Sequence, residues 1–134
     1  MDVQDKLLTS VVALPDGAAS TYSADFDQAG AVQSGKQRFT ALCELHVSIP
    51  ALSTVQLPDT KTITFAVCAG ASAAPTTVIA DAILVLTGAG GVGCAAAVVR
   101  FRLPTDVARY VRIKATGVAT VAGSTANMTV TLRF

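Results

Sequence analysis

The chain has 134 residues, of which 51% are hydrophobic and only 14% charged, with a formal net charge of +1. That length fits a single domain, and the charge balance excludes the domain-wide basic stripe that nucleic-acid binding requires. Soluble domains average about 25% charged residues, so the shortfall points to apolar surface committed to subunit interfaces, or else to a small-residue core rich in Ala and Val.

Residues 1–14 begin polar and turn apolar at Leu7, Leu8, Val11 and Val12. This spacing fits one short helical stripe, or an arm leading into a first strand. Pro15-Asp16-Gly17 is a turn signal, Ser20 to Asp27 predicts a strand holding Tyr22 and Phe26, and Gly30 to Gly35 is loop-like.

From residue 38 onward, period-two alternation dominates. The odd positions from Ala41 to Ile49 form one apolar face. Ile63, Phe65 and Val67 oppose Thr62 and Thr64, and Met128, Val130, Leu132 and Phe134 oppose Thr129, Thr131 and Arg133. Strand side chains point to alternate faces, so these segments predict half-buried strands. Strands are expected near 38–49, 60–68, 77–87, 94–103, 109–117 and 125–134, punctuated by Pro50, Pro58-Asp59, Ala74-Pro75, Leu103-Pro104, Gly117 and Gly123. With one or two strands before residue 30, the total is about seven or eight, which predicts an all-β antiparallel sandwich of jelly-roll type. The domain division is an N-terminal arm over 1–14 and one β domain over 15–134.

Residues 82–99 carry no charge and reach the roughly 18-residue length of a membrane-span candidate. Gly88, Gly90, Gly91 and Gly93 break the run, so two strands joined by a glycine-rich hairpin turn explain it better than a spanning helix. Gly88-Ala89-Gly90-Gly91-Val92-Gly93 also matches G-x-G-x-x-G. A dinucleotide site needs a helix opening at those glycines, whereas Cys94 to Leu103 alternates like a strand.

His46 is the single histidine, with Cys43 and Glu44 nearby. On a strand Cys43 points away from Glu44 and His46, and a structural zinc wants four ligands, so His46 is expected at a strand surface or interface. The three cysteines, Cys43, Cys68 and Cys94, are odd in number and widely spaced, which argues against a disulfide framework and for a reducing compartment. The start of the chain lacks a signal-peptide pattern. Asn127-Met128-Thr129 formally fits a glycosylation sequon, and without a secretion signal a chance match is expected. Arg100, Arg102, Arg109, Arg112 and Lys114 mostly alternate with Val99, Phe101, Val111 and Ile113, as the solvated sides of two strands do. No catalytic constellation, metal set or cofactor motif emerges, so the chain reads as a non-enzyme.

The segment Leu103-Pro104-Thr105-Asp106-Val107-Ala108-Arg109-Tyr110-Val111-Arg112-Ile113-Lys114-Ala115-Thr116-Gly117 reads as a proline turn followed by an Arg-Tyr-hydrophobic-Arg-hydrophobic strand. A small-residue stretch, Val118 to Asn127, and a final alternating strand follow it. Together with the opening Met1-Asp2-Val3-Gln4-Asp5-Lys6-Leu7-Leu8 and the Ala/Thr/Ser-rich region after it, this pattern resembles the jelly-roll capsid cement, or decoration, proteins of tailed bacteriophages. The resemblance implies a dimer or trimer on the outside of the virion head, and the lack of a signal-peptide pattern suits assembly in the bacterial cytoplasm. The resemblance also implies bridging of neighbouring major capsid protein subunits, with no catalytic residues to carry over, while the residues themselves lead to the expectation of no cofactor, no membrane and no direct nucleic-acid contact.

On that reading the 1–14 arm and the sheet faces or edges clamp adjacent capsomers, and Leu7, Leu8, Val11 and Val12 are the expected interface residues. The alternatives are another virion part, such as a head fibre or tail protein, and a carbohydrate-binding sandwich, which wants exposed aromatic residues. A cupin-type enzyme wants a histidine-rich metal set.

Overall fold

The computed structural model describes residues 9–27, 44–104 and 107–133. Nine strand segments run through them: β1 (Thr9–Ala13), β2 (Ser20–Tyr22), β3 (Phe26–Asp27), β4 (Glu44–Ile49), β5 (Thr62–Gly70), β6 (Val78–Thr87), β7 (Ala97–Arg102), β8 (Tyr110–Thr116) and β9 (Asn127–Arg133). The expected strand stretch 38–43, the loop at 30–35, Cys43 and Phe134 lie outside the described residues.

The pairing is nested. β1 pairs with β9, β2 with β8, β4 with β7 and β5 with β6, all antiparallel. The chain is therefore one long hairpin whose turn is the 71–77 connection. Two further ladders, β4 with β9 and β5 with β8, roll that hairpin into sheets of order β1-β9-β4-β7 and β2-β8-β5-β6, with β3 also on β8. This is a jelly roll, two Greek keys closed face to face. Alternation supplies the core: Leu45, Val47 and Ile49 of β4 meet Ile63, Phe65 and Val67 of β5, Val111 and Ile113 of β8, and Met128, Val130 and Leu132 of β9, all buried in one cluster.

Two expectations need correction. The strand expected over Ser20 to Asp27 is interrupted after Tyr22. At Ser23 the N–H still donates to Ile113 O at 2.9 Å, but the Oγ takes the Ile113 N–H at 2.9 Å and donates to Ala24 O at 3.1 Å, so the side chain stands in for the second ladder bond. The glycine-rich segment is also not a hairpin. β6 and β7 lie in different sheets, so residues 88–96 form an arch that carries the chain from one sheet to the other.

The arch and the connections at 14–19, 50–61 and 117–126 are stitched together. Leu52 and Cys94 exchange backbone hydrogen bonds of 3.0 and 3.1 Å. Thr60 N–H donates to Gly88 O, Ala122 N–H to Gln56 O, and Gly123 N–H to Pro15 O. Gln56 Nε2 donates to Thr125 Oγ1 at 2.8 Å. One end of the sandwich is thereby a rigid cap of four loops.

Candidate binding surfaces

Cross-strand register assembles the outer face of the first sheet from residues far apart in the chain. Glu44 lies between Arg102 of β7 and Arg133 of β9. The next row runs Arg100, His46, Thr131, Thr9, and the next Val98, Ser48, Thr129, Val11. The inward-pointing neighbours, Leu45, Val47 and Ile49, fill the core, which forces this charged and hydroxylated set outward.

A shallow groove of about 370 Å³ runs over the face, floored by His46, Ser48, Thr129 and Thr131 and edged by Arg100, Arg133 and Val98. His46 Nε2 donates to Glu44 Oε2 at 3.0 Å, so the one carboxylate that the described residues place on this face is already engaged. Among the described residues no ion pair holds Arg100 or Arg102. The floor offers hydroxyls and imidazole, and Arg100 at the rim offers a guanidinium fork suited to planar oxyanions.

The loop cap presents a different chemistry. Val55 in the 50–61 connection and Val92 in the arch are 72% and 75% exposed, and Val118 also reaches solvent. These side chains stand on loops that the hydrogen bonds above join to one another.

The outer face of the second sheet carries a strap. Arg112 lies over the Tyr22 ring, 3.8 Å from its centroid, and its Nε donates to Pro75 O at 2.7 Å. Asp25 accepts the Ala74 N–H at 2.7 Å. The 71–77 connection is thus pinned over β5, and Cys68, although outside the central core cluster, is fully buried. Burial pushes its thiol pKa up, partly offset by Lys114 and Arg112, which leaves it a poor nucleophile.

Of the expected interface residues, Val11 is exposed on the outer face of the first sheet at the edge strand β1. Val12 points the other way and packs against the core. Leu7 and Leu8 lie outside the described residues. The segment expected as an arm enters the sandwich at Thr9, and Leu14 is buried in the core. A truncation through residue 14 therefore removes an edge strand and a core side chain, and only residues 1–8 can be deleted as a test of the arm alone.

His46 lies on a strand surface beside Glu44, as the alternation required. Among the described residues no group of His, Cys, Asp and Glu side chains is placed to hold a metal ion, and no helix is long and apolar enough to cross a membrane. The Arg100–His46 and Arg102–Glu44–Arg133 rows escaped sequence reasoning because alternation reveals which face a residue takes, not which strand lies beside it.

No protein-family model matches the chain, and no curated protein matches it in sequence.

Proposed function

We propose that this chain is a structural virion component, a cement protein that binds the outer surface of a bacteriophage head. On this reading it stabilises the capsid by bridging neighbouring major capsid protein subunits and acts as a dimer or trimer. The observation that carries the reading is the rigid cap with Val55, Val92 and Val118 held in solvent. Exposed aliphatic groups on a preorganised scaffold lose little conformational entropy on docking, which suits these valines to a contact with the capsid.

The resemblance of the C-terminal third to jelly-roll cement proteins supports the same conclusion, and so does the jelly-roll strand order itself. Bridging needs two contact regions, and the cap and the outer face of the first sheet are distinct surfaces of one rigid body. Modest contacts repeated over a symmetric shell add up through avidity.

The test is co-sedimentation with phage heads that lack the protein. The wild-type chain pellets with heads, whereas Val55→Asp combined with Val92→Asp stays in the supernatant with an unchanged far-UV spectrum. Undiminished pelleting of that double variant overturns the assignment of the cap. Failure of the wild-type chain to bind any head overturns the cement reading itself. Light scattering over a concentration series tests self-association, and a monomer throughout removes the dimer or trimer from the proposal.

A further inference from the structure

The outer face of the β1-β9-β4-β7 sheet has an unbalanced charge. Among the described residues, Arg100 and Arg102 stand on it in register with one carboxylate-bearing strand, where Glu44 is engaged by His46. The other described acidic residues that carry contacts sit elsewhere: Asp16 and Asp59 in the loop cap, Asp25 between β2 and β3, and Asp81 on β6. Since net charge is only +1, the positive field here is a local concentration rather than a property of the whole surface.

The row beside the charged band has a different character. Val11, Thr129, Ser48 and Val98 lie side by side in register, and the two terminal valines are 61% and 64% exposed. The face therefore offers guanidinium forks, a hydroxylated floor and an aliphatic contact at each end of one row.

We propose that this face docks an acidic protein segment, whose carboxylates pair with Arg100 and Arg102 while its apolar side chains rest on Val98 and Val11. Charge complementarity selects the anion, since carboxylates accept paired hydrogen bonds from guanidinium. The two valines select a polypeptide over a free phosphate, which has nothing to place on them. Among the described residues the face carries no aromatic side chain for base stacking, since Phe101 on β7 packs inward against the core. That lack of a stacking platform disfavours single-stranded nucleic acid. The inference stands on this geometry alone and holds whether or not the chain is a virion protein.

The test is an amide-resolved NMR titration with an acetylated hexapeptide of alternating glutamate and leucine. The expected result is saturable shifts at His46, Ser48, Thr129 and Thr131, weakening as salt rises. Binding falls roughly three- to tenfold in Arg100→Gln combined with Arg102→Gln, in keeping with exposed ion pairs. Lys114→Gln, on the other sheet's outer face, leaves binding unchanged.

Replacing each glutamate of the peptide by lysine abolishes the shifts. Absence of saturable shifts, equal binding by the arginine double variant, or tighter binding of inorganic phosphate or a thymidine oligomer than of the peptide each overturns the proposal. Both arginines are exposed, and the dispersion of the amide spectrum verifies that their replacement leaves the fold intact.

Discussion

The Asp59 carboxylate accepts the Gly91 N–H through both oxygens, at 3.0 and 3.2 Å. This contact occupies an N–H that the G-x-G-x-x-G segment would otherwise offer to a phosphate. Glycine-rich backbone can cradle an anion, and here the anion is a side chain of the same protein, bridging the arch to the connection that Asp59 begins to close against Gly88. No helix follows. Cys94 instead pairs with Leu52 and leads into β7.

Removing that contact is expected to cost modest stability. Asp59→Ala should lower unfolding stability by about 1 kcal/mol, the net worth of a partly solvated hydrogen-bonded group, read as a shift in the urea midpoint. Gly93→Ala is far more severe. Gly93 has φ of +73°, and an added Cβ would run into the Leu52 carbonyl oxygen and the Ser53 backbone. Strain and collision together predict a loss of roughly 3 kcal/mol. Equal midpoints for the two variants would contradict this account of the arch.

The Arg112 strap predicts a change in thiol chemistry. In a chain carrying Cys43→Ser and Cys94→Ser, Cys68 should label slowly with a maleimide, because its side chain is fully buried. Arg112→Ala removes the stack on Tyr22 and the bond to Pro75 O, which loosens the 71–77 connection. Labelling should then accelerate by about tenfold, the equivalent of about 1.4 kcal/mol in the opening equilibrium. Lys114→Ala leaves the strap intact and removes a charge that lowers the thiol pKa, so it should slow labelling rather than accelerate it.

Stability at acidic pH should depend on Asp16. Its carboxyl is held below the ordinary aspartate range by hydrogen bonds from the Ser124 hydroxyl and backbone N–H, with desolvation opposing weakly. The backbone bond is 2.9 Å. Since the folded pKa is the depressed one, this stabilisation is complete above the unfolded value, about 3.9, and is lost as pH falls through the folded value. Asp16→Asn should therefore flatten the acid limb of a Tm-against-pH curve below about pH 4 and leave its shape near neutrality unaltered.

Thr21 offers a stabilising substitution. It sits opposite Ala115 in the β2–β8 ladder, and its Oγ1 is buried without a hydrogen-bond partner among the described residues. Thr21→Val keeps the shape and removes the desolvated hydroxyl, which should raise stability by about 1 kcal/mol. A lower Tm in calorimetry would show that the hydroxyl is satisfied in solution.

Much of the architecture was legible residue by residue. Alternation through Glu44 to Ile49 placed Leu45 and Val47 inward and His46 outward, and proline and glycine marked the strand ends. The strand count followed, and with it the sandwich. The break at Ser23 and the arch at Gly88 to Gly93 were less legible. The first depends on a hydroxyl finding Ile113 across the sheet, and the second on which sheet the next strand joins.

What the sequence by itself determined is therefore the local, periodic part: which segments extend, which side chains face the core, and that the sole histidine lies at a surface. These follow from the two-residue repeat of a strand, which acts between neighbours along the chain. Which strands become neighbours was decided only by the tertiary structure. Arg102, Glu44 and Arg133 meet because β7, β4 and β9 share one sheet, and Asp59 meets Gly91 because two connections cross at one end. Such pairings balance loop closure against burial over the whole molecule, and no window of sequence contains that balance.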